Sequence, residues 1–464
     1  MTKKIALFAL VAVGVFCSCS QSSDLVNDLP TPSEKQKVEE KTSISFDTYN
    51  AKSAIVRSSR AGYAGDMTTA MLQKEGFGVI AYYTGSDEYS AWTKEAPNFM
   101  YNTKVSIAGA NGTSPSSDPW TYSPTVYWPN GNAIADNAGA TGTGVGKLSF
   151  FAYAPYTAVA PSTGIVTATG DAATTGITAL SSNAATTAPT VSYSLAGGVD
   201  LLWGTAGTNG ATVNDAAQAG TTLTGGNAPV NVDLTKMKTN GKVNFLFKHA
   251  LAQIGRIKVV ADVASSDAAT GGSLSETTKI YVESVTIQNG LTTGESPVST
   301  LIGDGTLDLT TGVWTPGNNK FTLSKSISGE SLNSEIRVAS TTPEAVGTKT
   351  WEEIFTTTGV TTTPVNLYAS SVSPIMLIPG ADQTLKVTIT YWVTTKDDKL
   401  SRGYTWTPNP ISSKTISLGA LEQNKNYELV LHLGMDDINF TASVSEWDNA
   451  ASSSVDLPVN VVGE

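Results

Sequence analysis

The stretch Leu385-Lys386-Val387-Thr388-Ile389-Thr390-Tyr391-Trp392-Val393 decides the fold class, because each of its odd positions is apolar. Period two puts alternate side chains on opposite faces of a strand, so this stretch buries one face of a sheet. Residues 394–403 follow, with Asp397-Asp398 inside, and read as a hairpin connection. The alternation returns at Tyr427, Leu429, Leu431 and Leu433, and again at Ile438, Phe440, Ala442 and Val444. Thr, Val, Ser and Gly are abundant, and turn residues recur about every ten positions. One short helix is expected over residues 66–75, with Asp66 as N-cap and Gly76 as the stop. Many short alternating strands with few helices predict an all-β protein of antiparallel β-sandwiches rather than a parallel sheet.

The N-terminus sets the compartment. It reads MTKKIALFALVAVGVFCSC, with Lys3 and Lys4 ahead of an apolar run over residues 5–16. That run is too short for a stable bilayer anchor. Ser18 stands just before Cys19, and polar sequence follows. This is the pattern of a bacterial lipoprotein: residues 1–18 form the signal peptide, and acyl chains on Cys19 hold the domain at a membrane surface. Cys17 is the weaker acceptor, because bulky Phe16 would sit at its cleavage position. An ordinary secretory signal cut elsewhere is the plainer reading. Cys17 and Cys19 are the two cysteines of the 464-residue chain, so its body has no disulfide or thiol chemistry. The net charge of -11 argues against nucleic acid as a partner, which needs a basic face.

Composition divides the rest. Residues 20–43 are polar and charged and read as a flexible tether. Residues 158–227 are mostly Ala, Thr, Gly, Ser and Asn, and are expected as long surface loops with one or two strands between them. A domain boundary is placed near residue 240, where the apolar segment VNFLFKHALAQIGRIKV begins. That gives one sandwich over 61–240 and another over 241–464. No short fixed period exists, which argues against a solenoid or propeller.

Catalytic chemistry finds little support, so no enzyme activity, cofactor or metal is expected. His249 sits in the apolar FLFKHALAQI, the setting of a structural hydrogen-bonder, and His432 alternates with the buried face of its strand. No cysteine or histidine cluster has metal spacing. Gly142-Thr143-Gly144-Val145-Gly146-Lys147 resembles a phosphate loop but has Thr141 where the pattern needs glycine and Leu148 where it needs Ser or Thr. It reads as a loop feeding a strand over 147–153. Asp397-Asp398 and Asp436-Asp437 could touch a cation, but carboxylates in hairpin turns are normally just solvated. Trp120, Tyr122, Tyr127 and Trp128 cluster in WTYSPTVYW. Exposed, they would stack on sugar rings; the reading preferred for them is a small core or a loop brace.

Ordered motifs then resemble a known family. Phe77-Gly78-Val79-Ile80-Ala81-Tyr82, Phe99-Met100-Tyr101-Asn102, Trp120-Thr121-Tyr122-Ser123-Pro124 and Tyr127-Trp128-Pro129 come first. Leu148-Ser149-Phe150-Phe151-Ala152-Tyr153-Ala154-Pro155, Phe247-Lys248-His249-Ala250-Leu251 and Met376-Leu377-Ile378-Pro379 follow. Leu431-His432-Leu433-Gly434 and Val444-Ser445-Glu446-Trp447 close the series. In this order, with a lipoprotein signal, they are similar to the fimbrillin family of Bacteroidota. The resemblance implies two transthyretin-like β-sandwich domains in tandem, export as a lipoprotein, cleavage of an N-terminal strand at an arginine, and polymerisation by strand exchange.

The residues suit that mechanism. Within 44–56, Ile44, Phe46 and Thr48 share one face, and Ile55-Val56 extend the apolar character, as a strand covering a sticky sheet edge requires. Arg57-Ser58-Ser59-Arg60-Ala61-Gly62 follows, small and flexible as a protease site should be. Cutting after Arg57 or Arg60 would free residues 19–60, the lipid tether and removable strand. The tail is suited to donate a strand: Val455, Leu457, Val459 and Val461 alternate with Asp456, Pro458, Asn460 and Val462. A plain final strand of its own sandwich is the alternative for the tail. The expectation is a pilus subunit at the cell surface. Its expected partners are other pilus subunits, the outer membrane through lipid before cleavage, and a host or bacterial surface ligand. The second reading is a glycan-binding surface lipoprotein that uses Trp120 and Trp128.

Overall fold

The structure is a computed structural model that describes residues 42–50, 67–129, 146–167, 175–204, 231–235, 241–261, 277–290, 300–337, 350–369, 374–381, 383–405, 407–434, 438–446 and 455–457. Strands dominate it, as the alternation predicts. A six-stranded sheet runs in the order β1 (Ser45–Asn50), β8 (Lys242–His249), β7 (Leu202–Gly204), β4 (Lys147–Ala154), β2 (Phe77–Gly85) and β3 (Met100–Val105). Its central strands are apolar on both faces. In β2, Phe77, Val79 and Ala81 enter one core, while Ile80 and Tyr82 enter another. In β4, Leu148, Phe150 and Ala152 lie with the first set and Phe151 and Tyr153 with the second. A continuous apolar run, rather than an alternating one, is what a strand covered on both sides demands.

The first face is closed by a helix, α1 (Thr69–Glu75), and by the segment around residues 120–128. Thr68, not Asp66, caps α1: its Oγ1 accepts the Met71 N–H at 3.2 Å, satisfying one of the free amides of the first turn. Gly76 ends the helix as expected, at φ +78°, and donates its N–H to the Leu72 carbonyl. The second face packs on a four-stranded sheet, β12 (Trp314–Pro316), β11 (Asp304–Asp308), β6 (Thr190–Ser194) and β5 (Ile177–Leu180). Three strands, β5 to β7, thus lie in the polar region expected to hold one or two. They bury Val191, Tyr193 and Leu202. Their shortness hid them, because two or three apolar residues each are too few to show a period.

Between β8 and β9 (Ala252–Ala261) the chain crosses from one sheet to another through Ala250 and Leu251. The sheet containing β9 has the order β14 (Val365–Asn366), β9, β18 (Lys425–Leu433), β19 (Ile438–Glu446) and β20 (Val455–Leu457), with β15 (Ile375–Leu377) also on β9. Another sheet, β13 (Ser324–Ser328), β10 (Thr278–Asn289), β16 (Thr384–Thr395) and β17 (Thr407–Ser417), shares its core. Leu385, Val387, Ile389 and Tyr391 of β16 all enter that core. Val393 is half-buried but packs against the same core, and Thr394, an even position, is buried where it accepts the Trp351 ring N–H at 3.1 Å. Pairing with β17 shifts register between Ile389 and Tyr391, with the extra residue on β17. The hairpin from β16 to β17 is antiparallel, as read. Two pairs are parallel instead, β1 with β8 and β9 with β18. A second helix, α2 (Trp351–Ile354), is too short to show a helical period; Thr350 and Glu353 form its capping box.

Candidate functional site: the seat of the N-terminal strand

The strand β1 begins from local pattern. Ile44 and Phe46 are buried, Ser45 between them is exposed, and Asp47 and Thr48 are half-buried. β1 lies on β8 in parallel register, from Ser45 opposite Lys242 to Asn50 opposite Phe247. The Ser45 N–H donates to the Gly241 carbonyl at 3.0 Å. On its other side, residues just ahead of β1 meet the aromatic segment in antiparallel fashion. The Ile44 N–H donates to the Val126 carbonyl and the Trp128 N–H to the Thr42 carbonyl, both at 3.0 Å. The chain at residues 42–45 is therefore held between β8 and residues 126–128.

Aromatic rings build the pocket under Phe46. Its ring lies 5.3 Å from Tyr122, 6.0 Å from Phe150, 6.0 Å from Phe245 and 6.3 Å from Phe77, centroid to centroid. Three of these contacts are edge-on and the Phe245 contact is stacked, geometries that add to simple burial. The Tyr122 hydroxyl donates to the Ile44 carbonyl at 2.8 Å. Burial pushes that hydroxyl's pKa up, which keeps it a neutral donor. Trp128 closes the end of the seat by donating its ring N–H to Gly241 at 3.1 Å. The Asp47–Lys242 ion pair, 3.3 Å at the surface, contributes about 0–1 kcal/mol. Burying Ile44 and Phe46 contributes about 1.5–3 kcal/mol each, so the apolar contacts dominate the hold.

Among the four clustered aromatics, Trp128 is buried, Trp120 and Tyr122 are half-buried against the core, and Tyr127 is 46 % exposed. Trp120 packs on Phe77 at 5.0 Å. Three of the four thus pack in or against the core that holds Ile44 and Phe46, the core role preferred from sequence. Cys19, Ile55, Val56, Arg57, Arg60, Val459 and Val461 lie outside the described residues. Val455 and Leu457 lie in β20, which pairs antiparallel with β19, Val455 opposite Val444 and Leu457 opposite Ala442. His249 is buried and its Nδ1 lies 2.7 Å from Asp200 Oδ2, the structural partnership expected of it. Sequence reading missed Asp200 and the hold of residues 126–128 on the strand. Both depend on pairings between distant segments.

Fold and site define an all-β chain whose N-terminal strand plugs the edge of a sheet. No family model matches the chain. Over 230 residues, 49% of this chain, it is 29% identical to the fimbrium subunit Fim1C of Phocaeicola vulgatus. That match spans 45% of the relative, so this chain covers less than half of the relative's length. The crystal structure of a fimbrial protein from Bacteroides vulgatus superposes on 88% of this chain and 100% of its own, with a TM-score of 0.54 at 22% identity. The chain is thus similar to Bacteroides-group fimbrial proteins, in sequence over half of its length and in fold, and the fimbrillin resemblance carried by its motifs is borne out.

Proposed function

We propose that this chain is a structural subunit of a cell-surface fimbrium. It is exported as a lipoprotein acylated at Cys19, cut after Arg57 or Arg60, and polymerised by β-strand exchange between subunits. The observation that carries the reading is β1: a strand lying upstream of both arginines, yet seated by Ile44 and Phe46 in the core of the body. While the chain is intact, the strand is tethered to its seat at an effective concentration of order mM. A cut downstream of it removes that advantage and leaves a short peptide held by non-covalent contacts. The tail, with Val455, Leu457, Val459 and Val461, is the proposed donor that displaces this peptide in a neighbouring subunit, through main-chain pairing and alternate pockets. Likeness to a fimbrium subunit over half the chain supports the role. The test is electron microscopy of the purified precursor before and after trypsin. Filaments are expected after the cut alone, in a product beginning at Ser58 or Ala61. A cut product that stays monomeric at high concentration would overturn the proposal.

A further inference from the structure

A buried carboxylate holds the backbone just ahead of α1. Asp200 is fully buried, just ahead of β7. Its Oδ2 accepts the backbone N–H of Met67 at 2.7 Å and lies 2.7 Å from His249 Nδ1. Met67 is the first described residue after the proposed cut sites, and its side chain is 3% exposed. His249 ends β8, and its backbone N–H donates to Asn424 Oδ1 at 3.3 Å, just ahead of β18. Asn424 in turn donates its N–H to the Leu251 carbonyl at 2.9 Å. One carboxylate therefore ties the chain leading into α1 to β7, to β8 and, through His249, to the start of β18. Its other oxygen, Oδ1, is buried without a hydrogen-bond partner among the described residues. Burying a carboxylate so incompletely paired is costly, so the bonds that it does make have to hold it there.

We propose that Asp200 is the clamp that keeps Met67 and α1 seated after processing, so that the cut releases β1 without loosening α1. This rests on the cut at Arg57 or Arg60. The need follows from the shared core. Met67 and Leu72 pack in the same cluster as Ile44 and Phe46. When β1 leaves, that cluster opens beside α1, and the covalent link ahead of α1 is lost at the same moment. A seven-residue helix is far too short to persist on its own propensity. The Met67–Asp200 bond then anchors the helix N-terminus, and the groove keeps the wall that a donor strand needs. A purely global structural role for Asp200 makes a different forecast. It would loosen β7 and β8 as much as α1, and as much before the cut as after it.

The test is amide exchange, resolved by peptide, on the full-length chain before and after trypsin, with parent, Asp200→Asn and Asp200→Ala compared. Asparagine retains an acceptor for the Met67 N–H. Expected after the cut is exchange over residues 67–76 at least tenfold faster in Asp200→Ala than in the parent, with Asp200→Asn close to the parent and β7 and β8 little changed. Equal exchange over residues 67–76 in all three cut proteins, or loosening spread evenly over β7 and β8, overturns the clamp. The cut parent decides the matter if Asp200→Ala does not fold: its Met67 amide must stay as protected as that of Leu72, and exchange at the rate of an unstructured chain overturns the clamp. N-terminal sequencing separates the two readings. A product cut elsewhere fails the processing reading, whereas a product beginning at Ser58 or Ala61 whose α1 exchanges freely fails the clamp alone.

Discussion

Phe46 is the residue on which the seat depends, since four rings meet it. Truncating a buried phenylalanine costs about 3–5 kcal/mol. In the intact chain that loss falls on a local element, so Phe46→Ala should free residues 44–48 to exchange rapidly while the core around Leu385 and Val387 keeps its protection. Hydrogen exchange by peptide reads both regions at once, and an unchanged seat would contradict the contacts described. A second residue, Lys325 in β13, predicts a pH effect. Burial pushes its ammonium down from 10.5 to about 8. Between about 8 and 10.5 the unfolded chain keeps this proton while the folded one has lost it, so this group's contribution to stability rises with pH there. Below pH 8 both states are charged, and the folded state bears the cost of burying the charge. Lys325→Met should therefore stabilise the protein at pH 7, by a margin that shrinks by pH 9.5. Burial pushes Tyr368, whose ring lies 5.8 Å from the ammonium, up to about 12, so the comparison stops short of its titration. Urea midpoints of both proteins at the two pH values check the sign, and a margin that grows with pH would refute it.

At the scale of elements, β1 and β20 are both outer strands of their sheets, and they differ in how they are held. β1 pairs through six positions and is gripped on its other side at residues 42–44. β20 pairs through three positions with β19. Three edge pairs contribute little, so deleting residues 455–464 should leave the melting temperature of the precursor nearly unchanged. The same deletion should abolish filaments after trypsin, because the proposed donor is gone. If the tail were an ordinary closing strand, stability would fall by several kcal/mol. One thermal melt and one size-exclusion run separate the outcomes. Parts of these elements were legible. Ile44 and Phe46 announced β1 by alternation, whereas its parallel direction did not show, because period two is the same for either direction. Thr68, rather than the expected Asp66, caps α1 because its side chain reaches the third helical amide.

At the scale of the molecule, the cores are separable in composition. The cluster around Phe46, Phe77 and Phe245 belongs to the sheet that β1 plugs, and the cluster around Leu385, Val387 and Leu431 to the sheets containing β16 and β18. Under the proposed function, the tail of one subunit enters the vacated seat of the next. Donor and acceptor are then different surfaces, and a head-to-tail contact that does not close builds an open filament. Light scattering on the trypsin-cut protein should show a broad distribution of lengths that shifts upward with concentration. A discrete dimer that resists dilution would mean mutual exchange and would sink the filament geometry.

The sequence by itself determined the class of this protein. Alternation at Leu385–Tyr391 and Tyr427–Leu433 is a local property, so strands, buried faces and the β16–β17 hairpin followed from it. The aromatic segment 120–128 and His249 were legible as structural residues for the same reason, since an apolar setting is visible in the chain. Only the tertiary structure decided their partners. The pairing of residues 42–44 with 126–128, the return of β11 to β6, and the meeting of Met67, Asp200 and His249 each join segments far apart in sequence. Such contacts depend on how sheets stack and twist, and no local period records which edge will meet which. The seat of β1 is such a contact: its two apolar side chains were written in the sequence, and the groove that receives them exists only once six strands are in register.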